Sequence, residues 1–257
     1  MAVLPVVNTG VPATDWNSLA SQGSAAVSGV DIIEFDANGS NFVLRGTEIW
    51  LMNKNITFRI KAGTTHTVTL DGNSANQIAF YGPAAGTTWQ GIAGVPGVTA
   101  RNPLRFTNWN KTGTNGVLNC NNKRVHGADL DFICATTAIY DASGVDASNR
   151  STWKRIKIKT TGAFWSMKSL FFVDVEDLEI LHTGNKQVVV DSGGIDTGSI
   201  YRQVSIRHTG YTSTSPQAMN LGTGSLVTNG AFECDISATG RAVTGAATNC
   251  RRDGYSD

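Results

Sequence analysis

The chain has little charge, little proline and few thiols. Only 16% of its 257 residues are Asp, Glu, Lys or Arg, and the formal net charge is +1. A generic nucleic-acid binder would carry a basic stripe, so nucleic acid is not an expected partner. The clusters Lys154-Arg155 and Arg251-Arg252 are short and sit among acids. No apolar run approaches the ~18 residues of a membrane span, and no membrane contact is expected. Long Glu/Lys/Leu runs with a 3.6-residue period are also missing, which excludes a helical bundle. The opening Met1-Ala2-Val3-Leu4-Pro5 has no basic stretch followed by a long apolar one. The expectation is therefore synthesis in a cytoplasm, with exit, if any, inside an assembled particle.

Cys120, Cys134, Cys234 and Cys250 are widely spaced and form no C-x-x-C pair. In a chain without an export signal they read as reduced core or corner residues rather than a disulfide framework. The sequons at Asn38, Asn55, Asn110 and Asn149 read as chance matches in an Asn/Thr-rich sequence.

Glycine, by contrast, is abundant, with 28 residues against 6 prolines. Residues 1–30 are rich in Ala, Ser, Gly and Thr without sustained periodicity, and read as an N-terminal arm or cap. From Asp31 short apolar alternations begin: Ile33-x-Phe35, Phe42-x-Leu44, Ile49-x-Leu51, Phe58-x-Ile60, Val68-x-Leu70 and Ile78-x-Phe80. Each is strand-like, and Gly, Asn or Asp punctuates most gaps. A loop-rich insertion follows at about 82–103; a loop that long is usually functional, an interface element or disordered.

A repeat dominates the second half. Ile156-Lys-Ile158-Lys-Thr160-Thr-Gly162 is followed by Leu178-Glu-Ile180-Leu-His182-Thr-Gly184 and Val204-Ser-Ile206-Arg-His208-Thr-Gly210. Cys234-Asp-Ile236-Ser-Ala238-Thr-Gly240 reads as the last copy and Leu130-Asp-Phe132-Ile-Cys134-Ala-Thr136 as an imperfect first one. The starts at 130, 156, 178, 204 and 234 are 26, 22, 26 and 30 residues apart, a period that signals a repeat architecture. Apolar residues at the first and third positions face one side of a strand, and Thr-Gly supplies a turn. Second short strands follow, such as Ala138-Ile139-Tyr140, Val188-Val189-Val190 and Met219-Asn220-Leu221. A leucine-rich frame is absent. The reading is an all-β fold, a single right-handed parallel β-helix over 31–257 behind the N-terminal arm or cap.

Over about Asp31 to Gly240 this pattern resembles the pectate-lyase-like right-handed β-helix superfamily. Glu48-Ile49-Trp50-Leu51 through Gly72 looks like the coil with which such helices open. The superfamily includes polysaccharide lyases and hydrolases as well as spikes and other surface proteins of bacteriophages, and so implies either class.

An enzyme of this kind needs acids, with or without Arg and Lys, on one outward face. Arg155, Asp177 and Glu179 are the strongest candidates. On the repeat frame, however, Asp129, Arg155, Asp177, Gln203 and Glu233 stand before each first apolar residue. Asp131, Lys157, Glu179, Ser205 and Asp235 stand after it. Both columns run acid, base, acid, neutral, acid across strands ~4.8 Å apart. Opposite charges across neighbouring strands contribute roughly 0.2–1 kcal/mol per pair, so the simplest account is two outward ladders of compensated ion pairs. Arg155-Ile156-Lys157 and His126-Gly127 resemble polygalacturonase motifs, but the acids of that family have no counterpart before His126. Inverting hydrolysis needs two carboxyl groups roughly 6.5–9.5 Å apart, and nothing in the sequence specifies them.

His182 and His208 share one position in consecutive copies and could bind a metal. That position continues the inward side, beside Cys134, Thr160 and Ala238, which favours a buried or corner stack. No cofactor or metal site is expected. Trp50, Trp89, Trp109, Trp153, Trp165, Tyr81, Tyr140, Tyr201 and Tyr211 could be sugar platforms or core; the pattern does not place them all. Phe164-Trp165 and Phe171-Phe172 read as core or inter-subunit seam. The expected function is a non-enzymatic structural virion protein of a bacteriophage, a capsid decoration (cement) protein or short tail spike. Its expected partners are two further copies in a homotrimer and other virion proteins such as the major capsid protein. The alternative is a polysaccharide-binding or polysaccharide-cleaving protein, with a glycan ligand; here 82–103 and Thr212–Pro216 could wall a cleft.

Overall fold

The computed structural model describes residues 1–9, 11–36, 42–43, 50–51, 53–75, 80–95, 99–109, 116–161, 165–184, 187–191, 198–210, 217–244 and 246–256. Leu44, Glu48, Ile49, the side chain of Trp50, Ile78, Phe164, Tyr211, the 212–216 segment and the sequons at Asn38 and Asn110 lie outside them. The chain is a parallel β-solenoid of about seven turns, with about 60% of residues in strands.

The repeat generates two parallel sheets. One, of 14 strands, runs from Val3–Val7 through Ile32–Asp36, Thr57–Ile60 and Thr88–Gln90 into the long strands His126–Cys134, Ser151–Thr161, Val173–Thr183, Ile200–Thr209 and Leu226–Arg241. The other, of 8 strands, stacks Trp50–Leu51, Phe80–Tyr81, Leu118–Lys123, Ile139–Ala142, Met167–Leu170, Val189–Asp191, Met219–Asn220 and Val243–Thr244. The short strands expected around Ile139, Val189 and Met219 form this second sheet.

Each long strand is two strands joined by a left-handed residue. Asp129, Arg155, Asp177, Gln203 and Asn229 have φ of 55°, 55°, 58°, 55° and 56°. Residues before this corner pair with one set of neighbours and residues after it with another. Gly127 aligns with Trp89, whereas Leu130 aligns with Leu104. The 14-stranded sheet is thus folded into two faces, and the second sheet supplies a third. Asp and Asn tolerate left-handed backbone better than most residues because their short polar groups bond locally. Arg155 and Gln203 hold the same conformation by their place in the stack.

The register departs from the sequence reading at the last copy. Val204, Ile206 and His208 align with Gly230, Phe232 and Cys234. The column before the first apolar position therefore ends in Asn229, not Glu233, and the column after it ends in Ala231, not Asp235. The true starts at 130, 156, 178, 204 and 230 are spaced 26, 22, 26 and 26. Gly230 lacks an apolar side chain, but the Phe232 ring occupies its place: a Cβ on Gly230 would lie 2.5 Å from Phe232 Cε2.

Among the described residues the alternating apolar positions point inward. Ile33, Phe35, Phe58, Val68, Leu70, Leu130, Ile156, Leu178 and Ile206 are at most 1% exposed. Aromatic rungs fill the N-terminal half, where Phe58 stacks on Trp89 at 4.0 Å and Phe106 on Phe132 at 4.8 Å between ring centroids. Offset rings add to the area term that dominates this core.

Residues 1–30 hold a rung and a helix. Val3–Val7 pairs with Ile32–Asp36, and Pro12–Ala25 is the helix that sequence patterning did not identify. Pro12 stands at its first turn, where the missing N–H costs nothing. Asp15 accepts bonds from Thr9 N and Thr9 Oγ1, both 2.7 Å, while Trp16 and Leu19 are buried in the core. At the far end Lys54 Nζ donates to the carbonyls of Gly23, Ser24 and Ala26, placing a cation at the negative pole. Within the stretch 82–103, Thr88–Gln90 is a rung of the first sheet, and residues 92–95 meet residues 99–102 through antiparallel bridges at Ile92–Asn102 and Val95–Thr99.

Candidate functional site: the outer faces

The first face carries a groove of about 370 Å³ lined by Thr88, Gln90, His126, Thr152, Lys154 and Arg202, among others. Lys154 pairs with Glu176 at 2.7 Å, and Arg202 pairs with Asp174. Lys154 holds the Glu176 carboxyl below its ordinary value. His126 Nδ1 lies 2.7 Å from Thr152 Oγ1, and burial pushes the imidazole pKa down. The groove is therefore a wall of paired charge, with the His126 imidazole between Thr88 and Thr152.

Arg155, Asp177 and Glu179 do not converge. Arg155 lies on the left-handed corner and grips Asp129 through two bonds of 2.7 and 2.6 Å. The bond to Asp129 raises the guanidinium pKa, with a smaller contribution from Asp177 on the next rung. Asp129 itself is buried, whereas Asp177, Gln203 and Asn229 in the same column are exposed, so the column faces outward as expected except at its first member. Glu179 lies on the second face and pairs with Lys157 at 2.5 Å. Asp131 pairs not with Lys157 but with Arg101, which reaches in from the 99–102 segment, and with Arg105 at 3.5 Å. Glu233, shifted by the register, faces Arg207 at 3.8 Å.

His182 and His208 meet edge to face, with ring centroids 4.9 Å apart, and both are fully buried. His182 Nδ1 lies 3.1 Å from Ser166 Oγ, which in turn lies 2.8 Å from Thr160 Oγ1. His208 Nε2 lies 2.7 Å from the Gly184 carbonyl. Burial, then His208, pushes the His182 pKa down to about 3. A neutral, interior stack results. Among the described residues no group of three or more His, Cys, Asp or Glu could hold a metal.

Four of the seven aromatic platform candidates whose side chains are described are inside. Trp89, Trp109, Trp153 and Tyr201 are fully buried, and Tyr201 bonds Asp191. Tyr81 and Tyr140 are half-buried on the third face, as is Trp165, whose ring lies 3.7 Å under Lys168 Nζ. Asp141, which sequence reading did not single out, sits on this face with φ of 54°. Burial raises its pKa, against the opposing pull of Ser169 and Lys168. The Asp141-Ala142 end of a short strand gives no sequence signal for that. Among the described residues no cysteine forms a disulfide, and Cys120 and Cys134 are buried.

No protein-family profile, no curated protein and no solved structure matches this chain.

Proposed function

We propose that the chain is a non-enzymatic structural protein that works by docking and self-association. Its setting is a bacteriophage virion, where it serves as a capsid decoration protein or short tail spike. Self-association yields a homotrimer, seated on other virion proteins such as the major capsid protein. The observation that supports a structural role is the pairing of outer-face charge. Glu179 is answered by Lys157, Glu176 by Lys154 and Asp174 by Arg202, and at the corner the buried Asp129 is answered by Arg155. Acids committed to neighbouring bases suit a stable, soluble outer wall better than general acid–base chemistry, which wants a carboxyl raised toward neutrality. The virion setting follows only from the resemblance to β-helical phage proteins.

A polysaccharide-binding or polysaccharide-cleaving role is the second reading. It is favoured by the groove at His126 and by Asp141, a carboxyl whose pKa is raised. Incubation with uronate-rich and neutral polysaccharides, followed by assay for unsaturated or reducing ends, separates the two readings. Light scattering on the same sample gives the assembly mass. An inactive, stable trimer is expected. Turnover that disappears on Asp177→Asn, Glu179→Gln or Asp141→Asn would sink the structural reading.

A further inference from the structure

One cavity on the molecule has the opposite electrostatics to the compensated walls. It lies between the loop after Thr57–Ile60 and the antiparallel segments 92–95 and 99–102, and measures about 530 Å³. That is within the usual range for small-molecule sites. Its walls are fixed from both sides. Ile92 and Asn102 exchange two backbone bonds of 2.8 and 2.9 Å, and the Asn102 amide donates to the carbonyls of Thr64 and His66. Gly91 admits these segments, because a Cβ there would lie 2.3 Å from the Asp129 carbonyl.

The lining includes Thr64, Thr65, Thr67, Thr99, Arg101 and Arg105, and among the described residues no carboxylate lines it. Two guanidinium groups share one nearby acid. Arg101 bonds both Asp131 and the Arg155 carbonyl. Arg105 reaches Asp131 only at 3.5 Å, and its Nε is buried without a hydrogen-bond partner among the described residues. Of the acids on neighbouring strand positions, Asp71 is bonded by the Asn108 amide, Asp129 by Arg155 and Glu179 by Lys157. Two guanidinium groups therefore line the cavity, and Arg105 is the more loosely held of them. A guanidinium fork is suited to two oxygens of an oxyanion.

We propose that this cavity binds a small hydroxylated ligand bearing an oxyanion, such as a phosphorylated or carboxylated sugar. Arg105 takes the oxyanion, and the threonine-rich wall takes the hydroxyls. Binding here involves no turnover, and it stands or falls separately from the structural role proposed above.

Calorimetric titration of the full chain with glucose 6-phosphate, glucuronate, inorganic phosphate and glucose tests it. Saturable binding of glucose 6-phosphate or glucuronate is expected, with phosphate and glucose each weaker. Arg105→Gln should weaken it about tenfold or more, the loss of one charge-assisted bond, while Lys159→Gln leaves it unchanged. Arg105→Lys keeps the charge but not the fork and should fall between. Thr67→Val, at another lining residue, gives a second variant should Arg105→Gln fail to fold. Absence of binding by both sugar acids at millimolar concentration would overturn the proposal, as would affinity indifferent to Arg105→Gln or to Thr67→Val. Phosphate binding as tightly as glucose 6-phosphate would overturn the hydroxylated-ligand assignment, because the site would then read the anion alone.

Discussion

Acid should loosen this solenoid from within, between pH 6.5 and 5, before its carboxylates titrate. His182 is fully buried, its ring packs edge to face on His208, and its pKa is pushed down to about 3. In the unfolded chain an imidazole titrates near 6.5. A depressed histidine makes the unfolded state bind the extra proton, so its contribution is intact above the unfolded pKa and is lost as pH falls below it. The slope approaches about 1.4 kcal/mol per pH unit, and at pH 5 the loss from His182 alone is about 2 kcal/mol. That is a visible fraction of the roughly 5–15 kcal/mol that holds a domain together. His126, whose pKa is also lowered by burial, acts in the same direction. Urea unfolding at intervals from pH 7.5 to 5 should show the midpoint falling, and His126→Gln should remove only a minor part of the slope. His182→Gln, which keeps a polar group beside Ser166, should lower it by the His182 share of about 1.4 kcal/mol per pH unit. A His182→Gln chain with the full original slope would refute the reasoning, as would an imidazole of His182 that titrates near 6.5 by NMR in the folded protein.

The remaining expectations concern single contacts. Arg155→Met strands the buried Asp129 carboxylate and should cost about 3 kcal/mol, whereas Lys157→Met removes an exposed pair and should cost under about 1 kcal/mol; equal losses in denaturant unfolding would contradict the burial of Asp129. Gly230→Ala forces a methyl group into the Phe232 ring and should cost about 1–3 kcal/mol, a loss absent if the last rung began at Cys234. Burial pushes the Cys134 thiol up to about 12 and the Cys120 thiol higher still. Both should resist a thiol reagent in the native state, while the less buried Cys234 and Cys250 react first; four equivalent thiols would count against the packing.

The parallel solenoid was legible because inward positions recur as apolar residues two apart, and stacking repeats that frame. Ile156, Ile158, Leu178 and Ile180 make it unmistakable. The last rung was not, because a local string imitates it: Cys234-Asp-Ile236-Ser-Ala238-Thr-Gly240 satisfies the pattern, while the actual frame opens on Gly230, whose missing side chain is replaced in space by Phe232. No pattern of side-chain types can show that a ring from one position fills the volume of another. The corner was hidden for a related reason. Asp129, Asp177 and Asn229 are residues that tolerate φ above zero, yet Arg155 and Gln203 interrupt the series, so it read as an outward charge ladder. Outward charge was the right chemistry for Lys157, Asp177 and Glu179 but not for Asp129, which is buried against the guanidinium of Arg155 on the next rung. The helix Pro12–Ala25 escaped because a short cap needs only Trp16 and Leu19 to cover a solenoid end, too few for a 3.6-residue period to stand out. The Arg105 cavity escaped because it joins residues near 65 to residues near 100, and only the stacking of coils brings them together. Sequence periodicity therefore locates the rungs of such a fold, while its corners, caps and cavities depend on contacts between rungs that one repeat does not contain.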